Sequence, residues 1–130
     1  MGSDVVMTDH EAIATLIAKH ALYADEGDAD QRAALYSQDG EFIGPDGITT
    51  PGIDAIHAVF TRRQPVKGKH VTTNVIIDID GDEATGRTDF VFLLAGDQGF
   101  TVAAVGHYED GFVRTEDGWR FARRRIVPQR

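Results

Sequence analysis

The chain has 130 residues, 42% of them hydrophobic and 26% charged, which suits one globular domain with its own core and excludes a second. Its formal net charge of -8 disfavours contact with phosphate backbones and anionic lipid surfaces, so neither nucleic acid nor a membrane is an expected partner. The lack of cysteine excludes disulfides, thiolate metal ligands and a cysteine nucleophile, and it favours a reducing compartment, with the cytoplasm as the expected location. The N-terminus has no basic-then-apolar leader pattern, and no apolar run approaches the roughly 20 residues of a membrane span.

A capping signal and helical spacing predict a first amphipathic helix. Thr8 and Glu11 have the spacing of a capping box, and apolar residues then recur on one face as far as Asp25. Gly27 is expected to end this helix, and residues 1–7 to form a flexible tail ahead of it. The whole of 1–130 is expected to be a single domain.

Two further helices and a short strand are expected before residue 65. Asp28 predicts the cap of a second helix that runs through Tyr36, and a strand follows at residues 41–43. Apolar residues on one face predict a third helix over residues 53–60 that ends before Pro65.

From His70 onward the apolar pattern changes to a period of two. Turn signals separate four segments, which predict an antiparallel meander: residues 70–79, 84–94, 100–113 and 119–127. Helices followed by strands are typical of an α+β fold in which the helices cover one face of a curved sheet.

Two residues of the first helix are unusual for their positions. His20 lies within the apolar stripe, next to Tyr23, where a titratable ring needs a partner or must stay neutral. It is either a buried, hydrogen-bonded histidine or a pocket group. Asp25 lies in the last turn, where a carboxylate gains nothing from the helix dipole, and a solvated surface position is the alternative.

The first long strand carries a polar row. Strict alternation places His70, Asn74, Ile76 and Asp78 on one face. This row either faces water or lines a pocket. In a pocket, an imidazole held by a carboxylate is a general base suited to removing a proton next to a carbonyl group.

The last two strands contain two more candidates. Alternation places His107 opposite Tyr108, as either a second pocket acid or a packed core residue. Within the run of residues 123–125, Arg124 faces away from its neighbours and is the candidate inward arginine, suited to stabilising a developing negative charge. The five histidines form no HxH or HExxH pattern, and the common nucleotide-binding motifs are missing, so neither a metal nor an organic cofactor is expected.

The order of these signals resembles the SnoaL-like family of the NTF2-like superfamily over nearly the full chain. No single motif is specific, but the ordered set is. It comprises Tyr23-Ala24-Asp25 with Asp28, Ala34-Leu35-Tyr36, Asp39 to Phe42, Gly52 before Ala55-Ile56, His70-Val71-Thr72-Thr73-Asn74-Val75, Asp80-Gly81-Asp82, and Gly118-Trp119-Arg120-Phe121 before Arg124.

The resemblance implies a cone: a curved sheet wrapped around a deep pocket that helices plug. In the scytalone dehydratase and lindane dehydrochlorinase relatives an aspartate and a histidine form a catalytic dyad, and the matching positions here are Asp25 and His70. His20 matches a pocket position where the dehydrochlorinase carries lysine, and Arg124 matches an inward arginine. Relatives form dimers or trimers, so a homodimer or homotrimer is expected.

These observations predict a cofactor-independent acid/base enzyme for a small, mainly apolar organic molecule, with water loss as the favoured reaction. His70 is the predicted base, Asp25 its partner, and Tyr23, His20 or Arg124 the group that stabilises the departing or enolate oxygen. Isomerisation, polyketide-type cyclisation and a non-catalytic ligand-binding or assembly role remain open. Epoxide hydrolysis is disfavoured because it needs a second inward acid, for which Asp89 is the only candidate.

Overall fold

The computed structural model describes residues 6–63 and 66–129, and it has the predicted order of helices before strands. The predicted tail over residues 1–7 therefore lies largely outside the described residues. The elements are α1 (Asp9–Glu26), α2 (Ala29–Ala33), β1 (Tyr36–Ile43), β2 (Thr49–Pro51), α3 (Ile53–Arg62), β3 (Gly68–Asp80), β4 (Glu83–Gly96), β5 (Gly99–Thr115) and β6 (Gly118–Pro128). No helix within the described residues has the length and apolar character needed to cross a membrane.

Helix α1 begins and ends where the sequence predicts. The Thr8 side chain accepts a hydrogen bond from the Glu11 amide at 3.1 Å, and the Thr8 amide donates to the Glu11 carboxylate at 3.0 Å, which completes the capping box. Gly27 ends the helix in the left-handed conformation, with a φ of 69°. This fixed end sets the position of Asp25, two residues earlier.

Helix α2 is shorter than predicted, because the chain joins the sheet sooner. It ends at Ala33, and Tyr36 is the first residue of β1 rather than the last of a helix. The amide of Phe121 donates to the carbonyl of Leu35 at 2.8 Å, and Tyr36 pairs with Phe121 in β6. Pairing with a strand that lies 85 positions later in the chain is invisible to a local pattern and overrides helical propensity here.

The sheet has six strands in the order β2-β1-β6-β5-β4-β3. Strands β3 to β6 form the predicted antiparallel meander, but β1 runs parallel to β6, so the sheet is mixed and the expectation of a purely antiparallel sheet is wrong at this edge. Strand β2, which was not predicted, pairs with the outer edge of β1. The helices cover one face of this curved sheet, called the inner face below.

A β-bulge in β3 reverses the alternation that the sequence predicted. The register shifts between Thr73 and Ile76, and Asn74 takes a positive φ of 53°. Beyond the bulge, Ile77 packs against the core while Ile76 is 60% exposed. The prediction that Ile76 and Asp78 share a face with His70 is therefore wrong, because the extra residue inverts every later position.

One hydrophobic core lies between the helices and the inner face. Aromatic rings dominate its centre, with Phe121 stacked on Tyr36 at 5.3 Å between ring centroids and in contact with Phe112 at 4.9 Å. The core comprises Ile13, Leu16, Ile17, Ala33, Leu35, Tyr36, Phe42, Ile56, Phe60, Ala84, Phe112, Trp119 and Phe121. Beside it the helices and the sheet enclose a cavity.

Candidate active-site pocket

A cavity of about 420 Å³ lies between the three helices and strands β3 to β6. This volume is within the range of small-molecule sites. The lining combines apolar and polar side chains: His20, Tyr23, Ala24, Gly27, Asp28, Ala29, Arg32, Phe60, Thr61, Arg63, Val66, His70, Phe92, Tyr108, Arg124 and Ile126. Four of the predicted site residues (His20, Tyr23, His70 and Arg124) are among them.

Asp25 and His70 meet at the wall of this cavity. Their side chains are 2.6 Å apart between His70 Nδ1 and an Asp25 carboxylate oxygen, and the His70 backbone amide also donates to both oxygens of that carboxylate at 3.1 and 3.0 Å. The side chains remain 25% and 16% exposed for His70 and Asp25, respectively. Because Nδ1 is held by the carboxylate, Nε2 is the ring nitrogen left for a ligand.

The imidazole of His70 is also fixed by an aromatic neighbour on the adjacent strand. Phe92 is the register partner of His70, and their ring centroids are 4.6 Å apart at an interplanar angle of 42°. Directly opposed residues share a face of the sheet, and both of these side chains line the cavity. The ring is therefore held by a carboxylate on one side and an apolar surface on the other.

His20 is buried and hydrogen-bonded, and it also reaches the cavity, so the two alternatives that the sequence left open are combined. Its Nε2 lies 2.9 Å from the Tyr36 hydroxyl, and its ring packs edge-on against Phe60 and Phe121. Burial, with the nearby Arg124 guanidinium, lowers the pKa of His20 well below its usual value. Burial also raises the pKa of Tyr36. Both groups are therefore neutral near pH 7.

Arg124 faces inward, as alternation in β6 predicted, but its partner was not foreseen. Its Nε and Nη2 donate to the two carboxylate oxygens of Asp110 at 2.9 and 3.0 Å, with both side chains fully buried. The guanidinium also lies 3.8 Å from the centre of the Tyr108 ring. Burial opposes the charge of Arg124, but Asp110 outweighs it and raises the pKa of the guanidinium, which stays charged.

The second inward acid is thus Asp110, and the suggestion of Asp89 for that place is wrong. Asp89 pairs with Thr73 in the register of β3 and β4, on the face opposite Phe92. Asp110 lies two residues after Tyr108 in β5, so counting from that buried tyrosine would have identified it.

Asn74 and His107 lie on the outer face, away from the cavity, so the structure does not support their predicted role in substrate binding. The Asn74 amide donates to Asp89 at 2.9 Å, because the bulge turns it out of the polar row. His107 is the register partner of the same aspartate and lies 3.1 Å from Glu109. It is neither a pocket acid nor part of the core cluster.

Helix α2 and the end of α3 contribute charged lining residues that sequence reasoning missed. The Arg32 guanidinium lies 3.8 Å from the centre of the Phe60 ring, and its buried Nε has no hydrogen-bond partner within residues 6–63 and 66–129. Burial, with the charge of Arg63 nearby, lowers the pKa of Arg32 to about 10, so the group remains a cation near neutrality. Helix α2 is too short for periodicity to have shown which of its residues face inward.

No group of three or more potential metal ligands occurs in the part of the chain that the structure describes. Asp28 lines the cavity and caps α2 by accepting from Gln31, while Asp25 and Asp110 lie behind the lining residues His70 and Arg124 that they hold. What the arrangement offers is a positioned imidazole, hydroxyl groups and guanidinium groups around one space.

Comparison with known proteins places this geometry in a family. Residues 5–125 match the SnoaL-like domain. A protein of unknown function from Mycobacterium tuberculosis is 32% identical over 92% of this chain and 70% of that chain, with a TM-score of 0.84. An NTF2-like protein with a cystatin-like fold from Novosphingobium aromaticivorans is 30% identical over 92% of this chain and 81% of that chain, with a TM-score of 0.85.

Two further similarities are more limited. A Catenulispora acidiphila protein in complex with S-DNPA is 25% identical over 92% of each chain, with a TM-score of 0.79. Uncharacterized mycobacterial proteins, including one from Mycobacterium bovis, are 39% identical over 57 residues, and the match covers 42% of this chain and 39% of their length. The match to residues 5–125 and the structural relatives agree, and the chain belongs to the SnoaL-like family of the NTF2-like superfamily.

Proposed function

We propose that this protein is a cofactor-independent acid/base enzyme acting on a small organic molecule, and that the reaction it catalyses is the elimination of water. The observation that carries the proposal is the Asp25–His70 pair, in which a carboxylate holds Nδ1 of an imidazole at 2.6 Å at the edge of the cavity. A carboxylate in this position orients the ring for general base catalysis and stabilises the imidazolium that forms during the reaction.

In the proposed elimination, Nε2 of His70 takes a proton from a carbon next to a carbonyl group. The electron pair of that C–H bond forms a carbon–carbon double bond, and the neighbouring hydroxyl leaves as water with a proton from a cavity donor. Tyr23, one of two tyrosines that line the cavity, is the candidate donor. The Asp25 carboxylate stabilises the imidazolium.

His20 and Arg124 have narrower roles in this scheme. His20 is neutral, so it contributes a hydrogen bond to a developing oxyanion rather than a positive charge. Arg124 has its charge offset by Asp110, which occupies its Nε and Nη2. It stabilises negative charge only through its remaining N–H groups. Because both oxygens of Asp110 are bound to Arg124, we assign the role of base to His70 rather than to an Asp-Arg-Asp arrangement.

The same base supports isomerisation or cyclisation if the proton returns to the substrate or if the carbanion attacks a second carbonyl. A non-catalytic binding module is the remaining alternative. The Catenulispora acidiphila relative that is in complex with S-DNPA supports a small-molecule ligand for the cavity and leaves the reaction open. Binding without conversion is the result that would identify a binding module.

The test compares two histidines with similar carboxylate partners. His57 lies 2.6 Å from Asp30, but those side chains are 45% and 88% exposed and neither lines the cavity. On a panel of aromatic β-hydroxy ketones, followed by enone absorbance, His70→Ala and Asp25→Asn should each lower turnover by about 10²- to 10⁴-fold. His57→Ala should leave turnover close to that of the wild type.

Wild-type rates in both the His70→Ala and the Asp25→Asn proteins would refute the acid/base proposal. Tight binding of panel members with no product from the wild-type protein would favour the binding module. Because His57→Ala removes the same chemical group from the surface, a matching loss of activity in that variant would mean that the assay reports stability rather than catalysis.

We also propose that two copies associate through the outer face of the sheet. Val71, Val102 and Val105 lie there and are exposed, with Val102 at 63%. Arg87 and Glu109 are register partners on the same face, so the surface carries both charge signs and is complementary to itself. Sedimentation should show a dimer that Val102→Lys dissociates, and a monomeric wild-type protein would contradict the proposal.

A further inference from the structure

Arg32 is a charged group of the cavity that the proposed reaction does not use. The other internal arginine, Arg124, has a bidentate carboxylate partner in Asp110. At the surface, Arg114 binds Asp9 and Asp82. Arg32 differs from both, because its Nε is buried at the cavity without a hydrogen-bond partner within the described residues.

A buried guanidinium N–H without a partner is costly, because burial of Nε removes water from that donor without returning a hydrogen bond. Phe60 contacts the guanidinium with its ring face at 3.8 Å, which orients the planar group but gives Nε no hydrogen bond. A donor that is held in place at a cavity wall without a partner suits a ligand that brings the missing acceptor.

We infer that Arg32 binds a carboxylate of the substrate, and that the cavity takes aromatic carboxylic acids rather than neutral apolar molecules. The inference rests on the proposed function, since the molecule held by Arg32 is taken to be the one on which His70 acts. Phe92 and Tyr108, which line the same cavity, provide the apolar surface for the rest of such a molecule.

Carboxylate fits this site better than phosphate does. A planar guanidinium presents two parallel N–H groups that match two oxygens of a carboxylate or of a phosphate, so the charge of the ligand decides between them. Asp28 lines the same cavity, and the chain has a net charge of -8, so a dianion would meet more repulsion than a monoanion. Arg63 also lines the cavity, and its positive charge near Arg32 adds to the attraction for an anion of either class.

Arg32 and His70 reach the cavity from opposite components of the fold. Arg32 belongs to α2, and His70 to β3 in the sheet. A carboxylate bound to α2 would fix one end of a substrate while its reactive carbon faces the sheet. The charge of the bound group would thus determine which molecules present a C–H bond to the base.

The experiment compares two probes of equal shape, 2-naphthylacetate and 2-naphthylacetamide, by calorimetry at pH 7. The wild-type protein should bind the carboxylate at least about tenfold more tightly than the amide. Arg32→Met should remove this preference and keep the affinity for the amide within about twofold. Arg62→Met, which removes the same charge from an exposed position at the end of α3 that does not line the cavity, should keep the preference.

Equal wild-type affinity for the two probes, or no measurable binding of either, would overturn the inference. So would a carboxylate preference that persists in Arg32→Met. Arg32→Lys keeps the charge without the planar guanidinium and should retain only part of the preference. If Arg32→Met does not fold, Arg32→Lys provides the test instead. A full wild-type preference in Arg32→Lys would then overturn the bidentate assignment. Tighter binding of 2-naphthyl phosphate would overturn the carboxylate class.

These measurements need no turnover, so they separate the two proposals. A carboxylate preference that survives in His70→Ala supports the role of Arg32 whether or not His70 proves to be the base. Loss of turnover in His70→Ala with no preference between the probes would support the base and overturn the inference about Arg32.

Discussion

Two pairs of an aspartate and a basic side chain adjoin the same cavity, and they differ in whether a hydrogen-bonding atom remains accessible to a ligand. Asp25 holds one nitrogen of His70, and both side chains remain partly exposed, at 16% and 25%. Asp110 binds Arg124 through both oxygens, at an exposure of 0% and 1%. The first pair keeps a free ring nitrogen that a ligand can reach, whereas the second is closed on itself.

The two pairs also differ in how their charges are stabilised. The partly exposed Asp25 keeps contact with water and also accepts the His70 backbone amide, so its charge is stabilised in several ways. Asp110 and Arg124 have lost water, and each depends on the other for its charge. We therefore expect the Asp25–His70 pair to matter mainly for reactivity and the Asp110–Arg124 pair mainly for stability.

The largest expected effect on stability comes from removing one member of the buried Asp110–Arg124 pair. Asp110→Asn leaves the Arg124 charge buried without a counterion and should lower the free energy of unfolding by about 3–5 kcal/mol. Asp25→Asn, at a partly exposed site, should lower it by about 1 kcal/mol. Urea denaturation at pH 7 measures both changes in the free energy of unfolding, provided that its dependence on urea concentration has the same slope in each variant.

A double variant provides the control for this difference. Replacing both members, as in Asp110→Leu with Arg124→Met, removes the unpaired charge and should recover most of the stability lost in Asp110→Asn. Equal destabilisation by Asp25→Asn and Asp110→Asn would show that the two pairs do not differ in the way their exposures indicate.

The sequence predicted the parts of this site that depend on short-range signals. The capping box at Thr8 and the left-handed Gly27 set the length of α1, and thereby the place of Asp25. Alternation in β6 identified Arg124 as inward. The pairing of Asp25 with His70 came from the family resemblance, because the two residues are 45 positions apart and no local pattern connects them.

What the sequence did not predict depends on long-range pairing or on one irregular residue. A single bulge at Asn74 inverts the far half of β3, and the polar row predicted to line a pocket is divided by it. Strand β1 begins at Tyr36 because a parallel partner, β6, is available there. Arg32 was missed because α2 has only five residues, too few for a helical period to show an inward face.

His20 adds a third case to the comparison, a titratable side chain whose partner is the neutral hydroxyl of Tyr36 rather than a carboxylate. Burial lowers its pKa in the folded state, whereas in the unfolded chain the imidazole takes up a proton below about pH 6.5. The unfolded state then binds more protons, so the free energy of unfolding should fall with decreasing pH by at most about 1.4 kcal/mol per pH unit from this residue. Denaturation at several values between pH 6.5 and 5 should show a smaller change of the free energy of unfolding with pH in His20→Gln than in the wild type. The exposed control His10→Gln should show the same change as the wild type. A wild-type slope in His20→Gln would mean that the folded protein protonates His20, and that this cavity carries one more positive charge than its geometry indicates.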